Sequence, residues 1–193
     1  MTRAGILFTS LVIASPSAMA WTAVTDEQMP IAAKRGNYSL QLPASWLYDL
    51  SGSTVLASHD GVALEQINVQ LIPHKDAFKA IKRSSSPDMP NEDLAEAYLA
   101  NLQADGKLAD FQIISSDPAE VAGRAGFRVH VRFRLPPAAG DTLMDCTAVG
   151  TALPDGLLIA FYRAPRIHFY DKWLPAFDHA VSTLTVSTPS KKT

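Results

Sequence analysis

Cysteine is almost absent from the sequence, since Cys146 is the only one among 193 residues. A single cysteine excludes an intrachain disulfide and also a metal site built on several thiolates. Cys146 follows Asp145 in a predicted strand. At such a position we expect a small buried apolar residue rather than a nucleophile.

The sequence also lacks a strong net charge, because 17 basic and 19 acidic residues leave a formal charge of −2. This balance gives no electrostatic reason to expect nucleic-acid binding. Neither G-x-x-x-x-G-K-[ST] nor G-x-G-x-x-G occurs, no serine lies in G-x-S-x-G, and no two histidines have metal-ligand spacing. We therefore predict no cofactor and no metal site, and we assign no catalytic residue.

Long hydrophobic runs are missing apart from residues 4–14, an apolar stretch that is too short for the roughly 20 residues of a membrane span. Arg3 precedes this run, and Ala18-Met19-Ala20 supplies the small residues that a signal peptidase reads. The pattern predicts a signal peptide over residues 1–20 that is cleaved after Ala20. The expected product is a soluble periplasmic or secreted protein without a membrane span.

The clearest strand pattern is the segment FRVHVRFRL at Phe127–Leu135. Apolar residues alternate with Arg128, His130, Arg132 and Arg134, which is the period of a half-buried β-strand. One interpretation makes the four basic side chains a binding site for an acidic protein or envelope component. The alternative is a solvated face that is paired with acids on neighbouring strands, with Asp141 and Asp145 as candidates.

The remaining patterns describe a single domain at residues 37–187, preceded by an arm at 21–36 and followed by a disordered tail at 188–193. Alternating or apolar runs predict further strands at 38–42, 53–58, 63–72, 111–116, 143–151 and 157–162. Asp117-Pro118 predicts a turn, and Gly123 and Gly126 predict a tight connection. Apolar stripes at helical spacing predict helices at 91–105 and 172–183. In the strand at 63–72, one face is polar and neutral: Gln66, Asn68 and Gln70.

Five segments occur in an order that resembles one known superfamily: YSLQLPASW, AEAYLANL, AEVAGRAGFRVHVRF, LLIAFYRAP and DKWLPAFDHAVSTL. Together they span roughly residues 37–186 and resemble the Mog1/PsbP-like α/β/α sandwich superfamily, especially its small exported bacterial members. The resemblance implies an α/β (α+β) fold with a central antiparallel β-sheet flanked by helices. Exported members of the superfamily are often lipoproteins, whereas this chain has Trp21 where the lipid-bearing cysteine would stand.

The superfamily includes accessory and binding proteins with unrelated partners, so the resemblance implies no specific activity. We therefore expect an exported, non-enzymatic accessory or interaction protein of the bacterial cell envelope, which binds a protein or an envelope component. The alternative is a periplasmic hydrolase with a site in the loop at 163–171. There His168 and Asp171 lie near Tyr170, and a serine from elsewhere would complete the site.

Overall fold

The computed structural model of the chain describes residues 20–104, 106 and 108–187. The predicted signal peptide, apart from Ala20, and the predicted tail at 188–193 lie outside the described residues. Within the described ranges, no helix is long and apolar enough to cross a membrane.

The described residues form two helices, α1 (Asn91–Ala104) and α2 (Asp171–Ser182), and strands that belong to two sheets. The strands in chain order are β1 (Thr22–Ala23), β2 (Ile31–Ala32), β3 (Tyr38–Leu40), β4 (Leu47–Ser51), β5 (Thr54–Ser58), β6 (Gln66–Ile72), β7 (Ala109–Val121), β8 (Arg124–Arg134), β9 (Leu143–Leu153), β10 (Gly156–Pro165) and β11 (Thr185–Val186). Short 3₁₀ turns at His74–Asp76, Lys79–Ile81 and Pro137–Ala139 complete the regular structure.

The main sheet has eight strands in the order β1-β4-β5-β6-β10-β9-β8-β7, and the small sheet has the order β11-β3-β2. Every neighbouring pair of the main sheet is antiparallel. The apolar strand β10 lies inside the sheet between β6 and β9, as its sequence predicts for a strand that is covered on both faces. The central antiparallel sheet is therefore confirmed.

The two helices pack against opposite faces of this sheet, because successive side chains of β10 enter different cores. Leu157 and Ile159 belong to the core that contains the apolar stripe of α1. Leu158, Ala160 and Tyr162 belong to the core that contains α2 and the small sheet. This arrangement is the predicted sandwich of helix, sheet and helix.

The strand β8 has the faces that its alternation predicts. Phe127, Val129, Val131 and Phe133 are at most 4% exposed, and they lie in the core under α1. The basic residues between them are half-buried on the other face, which is the face that α2 covers. The predicted alternation of buried apolar and half-buried basic side chains is thus confirmed from Phe127 to Arg134.

Gly123, in the turn before this strand, and Gly126, within the strand, have two different roles. Gly123 has a φ of 71° and forms, with Ala122 at 53°, the two-residue turn between β7 and β8. This is the predicted tight connection. Gly126 lies beyond the turn, and a Cβ atom there would collide with the carbonyl oxygen of Gly150 on β9. Gly126 is therefore required for close approach of two strands rather than for a turn.

One predicted turn was wrong, and one strand was not predicted. The expected turn at Asp117-Pro118 does not form, because β7 continues through both residues. An edge strand has a row of backbone groups without a ladder partner, so a proline there is tolerated. Strand β4, which begins directly after Trp46, was not predicted, because its residues do not alternate cleanly between buried and exposed.

Candidate functional site

The predicted binding residues form one strip along β8, which we call the cationic face: Arg128, His130, Arg132 and Arg134. The strip lies beside α2 on one side and the edge strand β7 on the other, since β7 pairs with β8 along the whole strand. Its members differ in how strongly the surrounding structure holds them.

Arg132 is at the centre of the strip and is bound to a buried carboxylate. Its Nε and Nη2 atoms donate to the two carboxylate oxygens of Asp145 at 2.7 and 3.0 Å. Asp145 is directly opposite Arg132 on β9 and is only 3% exposed. This two-bond pair is the cross-strand partnership that the sequence proposed for Asp145, and it fixes the guanidinium group in one orientation.

His130 lies in the same cluster and packs against an aromatic ring. Its imidazole stacks on the ring of Tyr170 with the centroids 5.2 Å apart, and its Nε2 atom lies 3.4 Å from Asp145. Burial lowers the pKa of His130, the nearby Arg132 and Arg128 lower it further, and Asp145 opposes the shift. The imidazole is therefore neutral at neutral pH.

Tyr170 and Thr147 complete the buried part of the cluster, with their hydroxyl groups 2.5 Å apart. Burial raises the pKa of Tyr170 to about 12, so its hydroxyl stays protonated. Neither residue was singled out from the sequence as a member of this site, because the contact joins β9 to the turn before α2.

The two ends of the strip are held more loosely. Arg128 donates to Asp178 of α2 at 2.8 Å, and Arg134 lies 3.4 Å from Asp110 and 3.7 Å from Asp141. These three carboxylates are 48%, 66% and 60% exposed, in contrast to that of Asp145. Of the three, only Asp141 was predicted as a partner, because Asp110 and Asp178 come from elements that are distant along the chain.

The residues of the hydrolase alternative lie in one irregular turn that precedes α2. His168 is exposed at a left-handed φ of 72°, and Asp171 begins the helix. Among the described residues, the histidines with side-chain hydrogen bonds to another side chain are His59 and His74. The turn thus carries the predicted residues without the hydrogen-bonded pair of base and nucleophile that such a mechanism uses.

A second polar cluster, which sequence reasoning missed, fastens the loop between β5 and β6 to α2. The carboxylate of Asp60 accepts hydrogen bonds from Trp173 at 2.8 Å and Lys172 at 3.0 Å. The ring of His59 packs on that of Trp173 at 4.1 Å. The hydrogen bonds, that of Trp173 above all, lower the pKa of Asp60 to about 2. The cluster joins segments more than 100 residues apart, so no local pattern reveals it.

Cys146 is free and buried in the core under α1, as predicted from its position. Burial raises the pKa of its thiol to about 12, which keeps the group protonated and unreactive. Within the part of the chain that the structure describes, no group of three or more His, Cys, Asp or Glu side chains is placed to hold a metal ion.

No protein-family model and no curated protein matches the sequence. Three solved structures are similar to the chain over most of its length. The Ran-binding protein Mog1p of Saccharomyces cerevisiae is 9% identical with a TM-score of 0.54, and the match covers 88% of this chain and 96% of that one. LpqN of Mycobacterium tuberculosis, which is involved in cell envelope biogenesis, is 13% identical with a TM-score of 0.51 over 89% and 92%.

The third structure is the cyanobacterial PsbP of Synechocystis, which is 15% identical with a TM-score of 0.49 over 93% of this chain and 98% of that one. At identities of 9% and 13%, the matches to Mog1p and LpqN establish a shared fold and not a shared activity. The antiparallel sheet between two helices and the matches to Mog1p and LpqN agree with the sequence resemblance. The chain therefore has the Mog1/PsbP-like fold.

Proposed function

We propose that this protein is an exported, non-enzymatic accessory protein of the bacterial cell envelope, and that it binds a protein or envelope component through the cationic face. The fold supports an interaction role, since Mog1p, which has the same fold, is a Ran-binding protein. An envelope role is supported by LpqN, which is involved in cell envelope biogenesis, and by the apolar segment that precedes Ala18-Met19-Ala20.

The observation that carries the proposal is the difference between the centre and the ends of the cationic face. Arg132 is committed to the buried Asp145, whereas Arg128 and Arg134 are 34% and 39% exposed and bind exposed carboxylates. An exposed ion pair contributes only about 0–1 kcal/mol to stability. A partner's carboxylate can therefore replace the internal one with little loss of stability. The two end arginines are therefore the groups available to a partner.

These two arginines are six residues apart on one strand, which separates them by about 20 Å. A partner with acidic groups at a similar separation would engage both ends at once. In this arrangement the central pair of Arg132 and Asp145, with the stacked His130, keeps the strip rigid. Exposed charges are screened over about 8 Å at physiological ionic strength, so binding should weaken with salt.

The experiment is affinity capture from an envelope extract with the mature protein as bait. The variant Arg128→Ser with Arg134→Ser should lose most of the captured partner and keep its melting temperature within a few degrees. Its matched control is Lys79→Ser with Arg83→Ser, which removes two exposed basic groups from the segment after β6. The proposal that the cationic face binds the partner would be contradicted if wild type, the double variant and the control captured equal amounts. It would also be contradicted if capture did not depend on the salt concentration.

The export part of the proposal has its own test. The mature protein should begin at Trp21 when its amino terminus is sequenced after expression of the whole gene, and it should fractionate with the periplasm or the medium. Full-length chain recovered from the membrane fraction would show that the segment of residues 1–20 is retained.

A further inference from the structure

The irregular turn Arg166–Tyr170 holds an aliphatic side chain in solvent. Ile167 is 71% exposed, more than any other large hydrophobic side chain of the described residues. A single exposed aliphatic residue is ordinary at a protein surface. Here, however, buried groups fix the conformation of the turn, and a second loop with exposed apolar side chains lies beside it.

A buried tyrosine fixes the turn from below. The hydroxyl of Tyr162, a core residue of β10, donates to the carbonyl oxygen of Phe169 at 2.8 Å and lies 3.2 Å from that of Tyr170. His168 has a left-handed φ of 72°, a conformation that is unfavourable for a residue with a Cβ atom. The core thus imposes the backbone conformation that presents Ile167 to solvent.

The loop between β5 and β6 also presents apolar side chains to solvent. Residues 61–64 are Gly-Val-Ala-Leu, without a polar side chain, and Leu64 is 40% exposed. The backbone N–H of Leu64 donates to the carbonyl oxygen of Gly61 at 2.8 Å. The carboxylate of Glu65, which is 1% exposed, accepts from the backbone N–H of Asp60 at 2.7 Å. This loop is therefore also held by a buried polar group.

The strand register and one carboxylate bring the turn and the loop together. Gln66 of β6 pairs with Arg163 of β10, so the residues before β6 lie beside those that follow β10. Asp60 accepts from Lys172 and Trp173 at 3.0 and 2.8 Å, which fastens the loop to the helix that follows the turn. Both segments thus lie at the same end of the sheet. Their exposed or half-buried aliphatic residues form what we call the apolar tip: Val62, Leu64 and Ile167.

The side chains that border the apolar tip are basic and aromatic. Arg166 is exposed, and none of the ion pairs among the described residues includes it. The Nζ atom of Lys172 lies 4.5 Å from the centre of the Trp173 ring. Residues 163–172 contain three basic side chains and one acid, Asp171. Aliphatic side chains bordered by basic and aromatic ones are typical of surfaces that lie in a membrane interface.

We propose that the apolar tip docks the protein on a membrane surface that contains anionic phospholipids. Ile167 and Leu64 enter the boundary between headgroups and acyl chains, and Arg166 stays at the level of the lipid phosphates. The attachment is peripheral, because only the two loops contact lipid. The tip is formed by residues other than those of the cationic face, so the docking is independent of any partner that binds there.

The test is flotation of the mature protein with vesicles of phosphatidylcholine alone or of equimolar phosphatidylcholine and phosphatidylglycerol. One basic side chain near an anionic surface strengthens binding about fivefold, so the anionic vesicles should retain the protein at least about threefold better. Ile167→Ser with Leu64→Ser should weaken binding by about tenfold or more. The control Ile113→Ser with Ile114→Ser removes two aliphatic side chains of β7 that are 51% and 44% exposed, and it should float as wild type does.

Two single variants separate the contributions of charge and of apolar contact. Arg166→Gln should remove most of the preference for anionic vesicles, whereas Arg35→Gln, at an exposed basic residue beside Gly52 at the other end of β5, should keep it. Ile167→Trp should strengthen binding, because the indole ring favours the membrane interface. This gain also keeps the test valid if the double serine variant fails to fold.

The proposal is overturned if neither kind of vesicle retains the protein at millimolar lipid, or if the serine variants of the apolar tip and of β7 float equally. It is also overturned if Arg128→Ser with Arg134→Ser abolishes flotation while the variants of the apolar tip do not. That result would place the lipid on the cationic face.

Discussion

Arg132 shows why exposure alone does not predict the effect of a substitution on this strand. Its side chain is 20% exposed, but its partner Asp145 is almost fully buried. Removing the guanidinium group leaves a buried carboxylate without its counter-charge, and breaking such a pair is strongly destabilising. We predict that Arg132→Ala lowers the free energy of unfolding by about 2–4 kcal/mol in denaturant titration.

The matched control is Arg134→Ala, two residues further along the same face. Its partners Asp110 and Asp141 are exposed, so the loss should not exceed about 1 kcal/mol. The double variant Arg132→Met with Asp145→Leu removes both charges and should recover most of the stability that Arg132→Ala loses. Equal losses for the two single variants would show that Asp145 is not held by Arg132.

His130 should make stability depend on pH. Its pKa is below the ordinary 6.5 in the folded protein, so the unfolded chain binds the proton more readily. The contribution of the neutral imidazole is therefore fully present above about pH 6.5 and is lost as the pH falls through the folded pKa. Free energies of unfolding measured from about pH 4.5 to about pH 7.5 should fall less steeply towards acid in His130→Gln than in wild type.

The exposed His179 of α2 provides the control for this titration. Carboxylate titrations contribute equally to the pH dependence of all three proteins. Because the side chain of His179 is exposed, the free energy of unfolding of His179→Gln should change with pH as steeply as that of wild type. If His130→Gln and His179→Gln gave the same slope, burial of the imidazole against Tyr170 would have no influence on stability.

At the scale of elements, the turn between β7 and β8 is strained at one position. Ala122 and Gly123 both have positive φ values, and a non-glycine residue in this conformation is unfavourable. Ala122→Gly should raise the free energy of unfolding by about 1 kcal/mol, because glycine adopts the left-handed region without penalty. Ala125→Gly, in the strand after the turn, should instead lower it by about 0.5–1 kcal/mol. Thermal and denaturant unfolding of both variants provide the check, and a loss in Ala122→Gly would contradict the account of the turn.

Most elements could be predicted because their patterns are local. The alternation in β8 and the apolar stripes of the two helices are set by residues within a few positions of one another, and each element formed where expected. The prediction of a turn at Asp117-Pro118 was wrong, because the effect of a proline depends on whether its strand lies at the edge of a sheet. That position is decided by the order of the whole sheet.

The candidate site could be predicted only in part, for the same reason. The partners of the cationic face that lie near β8 in sequence, Asp141 and Asp145, could be proposed from cross-strand pairing. Asp178 and Tyr170 enter the site from α2 and the turn before it, at least 40 residues from the basic residues that they contact. Sequence periodicity carries no information about contacts between such distant segments. The basic strip could therefore be predicted, but its contacts with Asp178 and Tyr170 could not.

At the scale of the whole molecule, one sheet presents two unlike surfaces. The side that α2 covers carries the cationic face, with charged groups at both ends. The other side carries α1, which packs over β7, β8 and β9. The cationic face and α1 therefore lie on opposite sides of the sheet.

The most direct test of the proposed interaction surface is site-specific photo-crosslinking in living cells. A photoreactive residue at Gln112 would lie opposite Arg132 on the exposed edge strand, beside the cationic face. The same residue at Gln103 would lie on α1, across the sheet and equally exposed. We predict a crosslinked partner from position 112 that disappears in the Arg128→Ser, Arg134→Ser background, and no such product from position 103. A product from position 103 alone, or one from position 112 that survives the loss of both arginines, would contradict the assignment of the cationic face as the binding surface.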